Sequence, residues 1–126
     1  MKLPPYAELL GLECEEQDDG APVLMMPFAD DVVGRPGFVH GGAIGGLLEM
    51  AGIVALHHAL GRDEARAKPI NVTVDYMRGG RDRPTRARGN VTRLGSRIAN
   101  VEAIAWQEVP EKPIAAARMN ILIKRP

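Results

Sequence analysis

The chain has 126 residues, enough for one compact domain spanning 1–126 that buries a core without covalent staples. Its 16 Lys and Arg residues balance 16 Asp and Glu residues, so no overall charge points to nucleic acid or an anionic membrane as a partner. The single cysteine, Cys14, excludes an internal disulfide framework and fits a reducing, cytoplasmic setting, and the start Met1-Lys2-Leu3-Pro4-Pro5-Tyr6 lacks the apolar stretch of a signal peptide.

Pro4 to Gly11 reads as a short helix, with prolines at its start and a glycine past its end. Leu12 to Asp18 predicts a strand, Asp19-Gly20 a turn, and Val23 to Phe28 the hairpin partner. Asp30 to Val39, with Gly34, Pro36 and Gly37, is loop-like. From Gly41 to Gly61 the spacing of Ile44, Leu47, Leu48, Ala51, Val54 and Ala55 is helical, and Glu49 is the only Asp, Glu, Lys or Arg. Ala43, Met50, Ile53 and Leu56 make the remaining sides apolar, so this helix belongs in a core or a membrane. Its length approaches a span, and Gly41/Gly45 and Gly42/Gly46 mimic a helix-pairing pattern. Glu49 at its middle, the pair His57-His58 and its glycines favour the core.

Beyond the helix the period becomes two. Ile70, Val72, Val74 and Tyr76 form one face of a strand, followed by Ala87, Gly89 and Val91, then Ala99, Val101, Ala103 and Ala105, then Ala115, Ala117, Met119, Ile121 and Ile123. Turn signals at Gly79-Gly80, Gly95-Ser96 and Pro110 to Pro113 predict an antiparallel meander. The small inward residues leave room for a helix, which gives an α+β fold with a sheet wrapped around one long helix.

Glu49 carries the chemistry. A charge inside an apolar helix is costly, and positions 45, 46, 52 and 53 offer no cation to neutralise it. A carboxylate kept there is a functional candidate. Upstream, His40-Gly41-Gly42 opens the helix, and bare backbone N–H groups with the helix dipole suit a developing oxyanion. His40 is placed to hold the loop or orient a carbonyl. Charge is uneven along the chain. Acids dominate between Leu3 and Gly34, whereas Arg78, Arg81, Arg83, Arg86, Arg88, Arg93 and Arg97 are interrupted by Asp82 alone, which fits either an anion site or a salt-bridged sheet face. No metal-ligand spacing and no nucleotide-binding fingerprint occur.

The run His40-Gly41-Gly42-Ala43-Ile44-Gly45-Gly46-Leu47-Leu48-Glu49 resembles the helix signature of hot-dog-fold thioesterases of the phenylacetate-degradation (PaaI) type, in which an acid follows the histidine by nine residues. The strand Val72 to Arg78 and the start Gly95-Ser96-Arg97 are similar in style. The resemblance implies a hot-dog fold and hydrolysis of an acyl-coenzyme A thioester, with coenzyme A entering only as part of the substrate. Glu49 becomes nucleophile or general base, Gly41 or Gly42 the N–H that polarises the carbonyl, and His40 the residue that fixes the loop. Arg78, Arg81 and Arg97 are then the candidates for the coenzyme's phosphates. Gly34 stands where the family often places Asn or Gln in the substrate site, and Ile53 where some members carry Thr. Both departures leave open an acyl-CoA-binding module without hydrolysis. A dehydratase of the same fold is disfavoured, because Arg35 stands near the place of its histidine. Gly42 and Glu49 are about 10 Å apart along a helix, too far to serve one carbonyl, which predicts a homodimer or dimer of dimers with sites shared between chains. The small residues Ala43, Gly45 and Gly46 predict space beside the helix for an aromatic or medium aliphatic acyl group.

Overall fold

The computed structural model describes residues 3–61 and 65–126. Helix α1 (Pro5–Leu9) leads into the hairpin β1 (Glu13–Glu15) and β2 (Val23–Met26), and a 3-10 turn at Asp30–Val32 precedes the long helix α2 (Gly41–Leu60). Strands β3 (Arg66–Tyr76), β4 (Thr85–Leu94), β5 (Ile98–Trp106) and β6 (Pro113–Lys124) follow. All pairings are antiparallel, and the six-stranded sheet has the order β1-β2-β4-β5-β6-β3.

That order corrects the expected meander. Of the four strands after α2, only β4, β5 and β6 follow one another; β3 pairs with β6, at the far margin from β1. The stretch around Gly79-Gly80 is therefore a crossing rather than a hairpin turn, anchored where the Met77 and Arg78 N–H groups donate to the Ile114 carbonyl. Alternation read from sequence cannot tell adjacent strands from crossed ones. The face assigned to Ile70 is also corrected. A bulge between Pro69 and Asn71 breaks the register, so Ile70 is 55% exposed while Val72 and Val74 turn inward. Strand β1 is shorter than the run Leu12 to Asp18 suggested.

Helix α2 lies across the inner face of the sheet. Ala99, Val101, Ala103 and Ala105 of β5 and Ala115, Ala117, Met119, Ile121 and Ile123 of β6 are all buried there. The closest approach is at Gly52 and Gly89: a Cβ on Gly89 would come within 2.6 Å of the Ala51 carbonyl oxygen and 3.0 Å of Gly52 Cα. α2 is long and apolar enough to cross a membrane by length and composition alone, yet 56% of its apolar window is buried inside the domain. Its apolar surface is thus largely spent on the sheet. It ends at Gly61, whose positive φ of 66° suits glycine and whose N–H donates to the His57 and His58 carbonyls.

Candidate active site

The loop before α2 is folded tightly onto itself. Val33 bridges Val39, the Gly34 N–H donates to the Phe38 carbonyl at 3.0 Å, and the His40 N–H donates to the Val32 carbonyl at 2.7 Å. Gly34 permits this closeness: a Cβ there would lie 3.0 Å from His40 Cα. A Cβ at 34 would press on the His40 backbone, and as a glycine this position offers only backbone to the site.

His40 is the N-cap of α2, with extended backbone (φ −62°, ψ 134°). The Gly42 N–H donates to its Nδ1 at 2.8 Å, and the Ala43 and Ile44 N–H groups donate to its carbonyl. Accepting at Nδ1 puts the neutral ring's proton on Nε2. Of the two glycine N–H groups considered from sequence, Gly42's is thus engaged. Gly41's has no acceptor among the described residues. The Tyr76 hydroxyl, reaching from the end of β3, donates to the Gly41 carbonyl at 2.7 Å and holds the first turn against the sheet.

A cavity of about 400 Å³ opens at this helix mouth, lined among others by Gly34, Arg35, Phe38, His40, Gly41, Tyr76 and Arg78. The guanidinium groups of Arg35 and Arg81 lie over the Phe38 ring at 4.1 and 4.5 Å from its centre. Arg78 also lines an adjoining cavity of about 240 Å³ with Arg81, Arg83 and Lys112. Among the described residues, Arg35, Arg78 and Arg81 form no ion pair. Arg97 does not join them. It follows the far end of β4, roughly 30 Å of strand away from Arg81. Arg86 and Arg88 belong to the hairpin: Arg86 grips both Glu15 oxygens at 2.8 and 3.1 Å, and Arg88 contacts Asp19 at 2.8 Å. The Glu15 carboxyl and the Asp19 carboxyl are held below their ordinary values by these hydrogen bonds. Within the arginine-rich stretch Arg86 and Arg88 are thus structural, whereas Arg78 and Arg81 stand at the helix mouth.

Glu49 is half-buried on a stripe of α2 with Gly42, Gly45, Gly46 and Ile53, none of them fully covered by the sheet. It makes no ion pair or side-chain hydrogen bond among the described residues, and it does not line the cavity at the helix mouth. It lies eight helical positions beyond Gly41, about 12 Å of rise. The space expected beside Ala43, Gly45 and Gly46 is taken. Ala43 is 6% exposed, the Tyr76 hydroxyl lies 3.3 Å from where a Gly45 Cβ would be, and the Tyr6 ring fills the position of a Gly46 Cβ. Sequence reasoning missed Tyr6, Tyr76 and Phe38. The proximity of Phe38 to His40 in the chain was a usable signal, whereas both tyrosines arrive through long-range contacts.

A larger concavity, about 630 Å³, lies elsewhere, beside His58, Arg88 and Trp106. Its lining includes successive residues of β4 from Arg88 to Val91, which point to opposite faces, so it wraps an uncovered strand edge. Its arginine is already neutralised by Asp19. Among the described residues no three His, Cys, Asp or Glu side chains gather as a metal site.

A model of the thioesterase superfamily matches residues 36–114, which include both His40 and Glu49. Among solved structures, a protein from Chromobacterium violaceum is 33% identical, with a TM-score of 0.76 over 94% of this chain and 82% of that one. A conserved protein from Pseudomonas aeruginosa is 26% identical, with a TM-score of 0.86 over 96% and 94%. A phenylacetic acid degradation-related protein from Ralstonia eutropha shares the fold at 22% identity, with a TM-score of 0.83 over 97% and 92%. No match was found among curated proteins.

Proposed function

The chain belongs to the thioesterase superfamily, with the hot-dog fold of a thioester hydrolase, and from that premise we propose that it cleaves an acyl-coenzyme A thioester to a free acid and coenzyme A. The carrying observation is a pair of groups on α2 that have no partner among the described residues: the Gly41 N–H at its mouth and the Glu49 carboxylate two turns on. In this reading the thioester carbonyl oxygen accepts from the Gly41 N–H at the positive end of the helix dipole. His40, its proton on Nε2, offers a second donor in a residue that lines the same cavity. Glu49 acts on the carbonyl carbon, either directly or by taking a proton from an attacking water. The tetrahedral oxyanion then collapses, the C–S bond breaks, and the thiolate leaves and is protonated. In the direct route water afterwards cleaves the acyl anhydride on Glu49.

The distance along α2 requires Glu49 to come from a second chain. Strand β3 supports this: it is a sheet edge with eleven residues, and Ile70, Tyr76 and Met77 beside it are at least half exposed. We read the active unit as a homodimer joined there, with two composite sites. Arg35, Arg78 and Arg81 around Phe38 form the natural platform for the substrate's phosphates.

Glu49→Gln is expected to leave the fold intact and lower thiol release from acyl-CoA by about 100-fold or more. Undiminished turnover in that variant overturns the proposal. A second reading, binding without hydrolysis, draws on Gly34, which lacks the polar side chain that the resemblance leads one to expect there. A parent chain that binds acyl-CoA analogues but releases no thiol would establish it.

A further inference from the structure

Tyr6 stands in a place that its position near the N-terminus does not suggest. Helix α1 is tied to the core by Ala7 and Leu10, 2% and 4% exposed, and by the Leu12 N–H donating to the Ala7 carbonyl at 3.0 Å. Tyr6 is thereby carried on a fixed support, and its phenol end enters the notch left by Gly46. Cε2 and the hydroxyl oxygen each lie 2.7 Å from where a Gly46 Cβ would be. On a helix, Gly46 is one turn from Gly42 on one side and three residues from Glu49 on the other. The ring therefore occupies the stripe between the helix mouth and the carboxylate. Its hydroxyl makes no hydrogen bond among the described residues, and Tyr6 remains 42% exposed.

We propose that Tyr6 is the residue that sets the size of the acyl group, by filling the notch beside Glu49 that an extended chain would otherwise enter. This rests on the composite site proposed above. An acyl carbon skeleton leaving a carbonyl poised at Glu49 must run along the α2 stripe or away from it. Along the stripe, one turn before Glu49, Gly46 has no side chain, and the wall there is the ring supplied by α1. A flat or short acyl group fits beside that ring; a long alkyl chain meets it.

The test measures binding rather than turnover, using Glu49→Gln chains and non-hydrolysable S-alkyl-CoA thioethers with butyl and dodecyl tails. Tyr6→Ala is expected to raise the preference for dodecyl over butyl by about tenfold or more, the scale on which pockets discriminate by methylene count. Tyr6→Phe, which keeps the ring, is expected to leave that ratio unchanged. Gly46→Ala, whose new methyl must push the flexible end of Tyr6 aside, is expected to move the ratio from the other side of the same contact. An unchanged ratio in both Tyr6→Ala and Gly46→Ala overturns the assignment while leaving hydrolysis by the parent chain intact. Selective binding by a parent chain that hydrolyses nothing would instead reject the catalytic reading and keep Tyr6. Failure to bind either thioether rejects both.

Discussion

The Gly41 N–H can be deleted with little else disturbed. Gly41 is the first helical residue of α2, where a proline ring is tolerated because that N–H has no partner within the helix. The preceding residue must be extended, and His40 already is, at φ −62° and ψ 134°. The nearest atoms to a Cβ there belong to Tyr76 at 3.5 Å, an ordinary contact. Gly41→Pro should therefore melt within a few degrees of the parent and yet lose about 100-fold or more in kcat, the usual cost of one oxyanion donor. A variant with parental kcat in acyl-CoA hydrolysis would move the oxyanion site away from Gly41. At this scale the sequence was informative where chemistry is local. His40, the glycines and Glu49 fall within ten residues, and helix geometry alone fixes their spacing. It did not distinguish the Gly41 N–H from the Gly42 N–H, because that choice depends on which way the His40 ring turns.

The hairpin of β1 and β2 is joined to the sheet by short pairing, three residue pairs between β2 and β4, and by the forked contact of Arg86 with Glu15. That hydrogen-bonded pair lowers the Glu15 carboxyl below its ordinary value of 4.5 and raises Arg86. A depressed carboxyl adds stability above its unfolded value, and that gain fades as pH falls from there through the lowered folded value. Both side chains are more than a third exposed, at 39% and 36%, so solvent screening holds the contribution to about 0.2–1 kcal/mol. Glu15→Gln should be less stable than the parent by that amount in urea unfolding at neutral pH, and the gap should close in acid. A gap that persists in acid would show that the loss comes from packing rather than charge. The strands themselves were readable from their alternation, with inward faces as expected in β4, β5 and β6. The face of β3 before Asn71 was not, because a bulge at Ile70 inserts one residue that no local pattern announces. The place of β3 beside β6 was equally hidden, since register and order are decided by pairings between residues far apart in the chain.

At the level of the whole molecule, the composite-site proposal can be tested by mixing two inactive chains. Glu49→Gln retains a working helix mouth, and Gly41→Pro retains a working carboxylate. If sites are shared across a two-fold axis, co-folded chains that pair at random should recover about a quarter of parental activity: half the dimers are mixed, and one of two sites in each is whole. Recovery of none would confine catalysis to single chains or remove it from these residues. The two margins of the sheet differ sharply. One is β3, eleven residues long; the other is β1, only three residues long with acidic side chains at Glu13 and Glu15. Whatever strand docks on β3 uses up the row of free backbone groups along that margin. Self-association by that route is a single event rather than a chain reaction, so concentrated solutions should hold discrete particles of fixed mass and should not elongate into filaments.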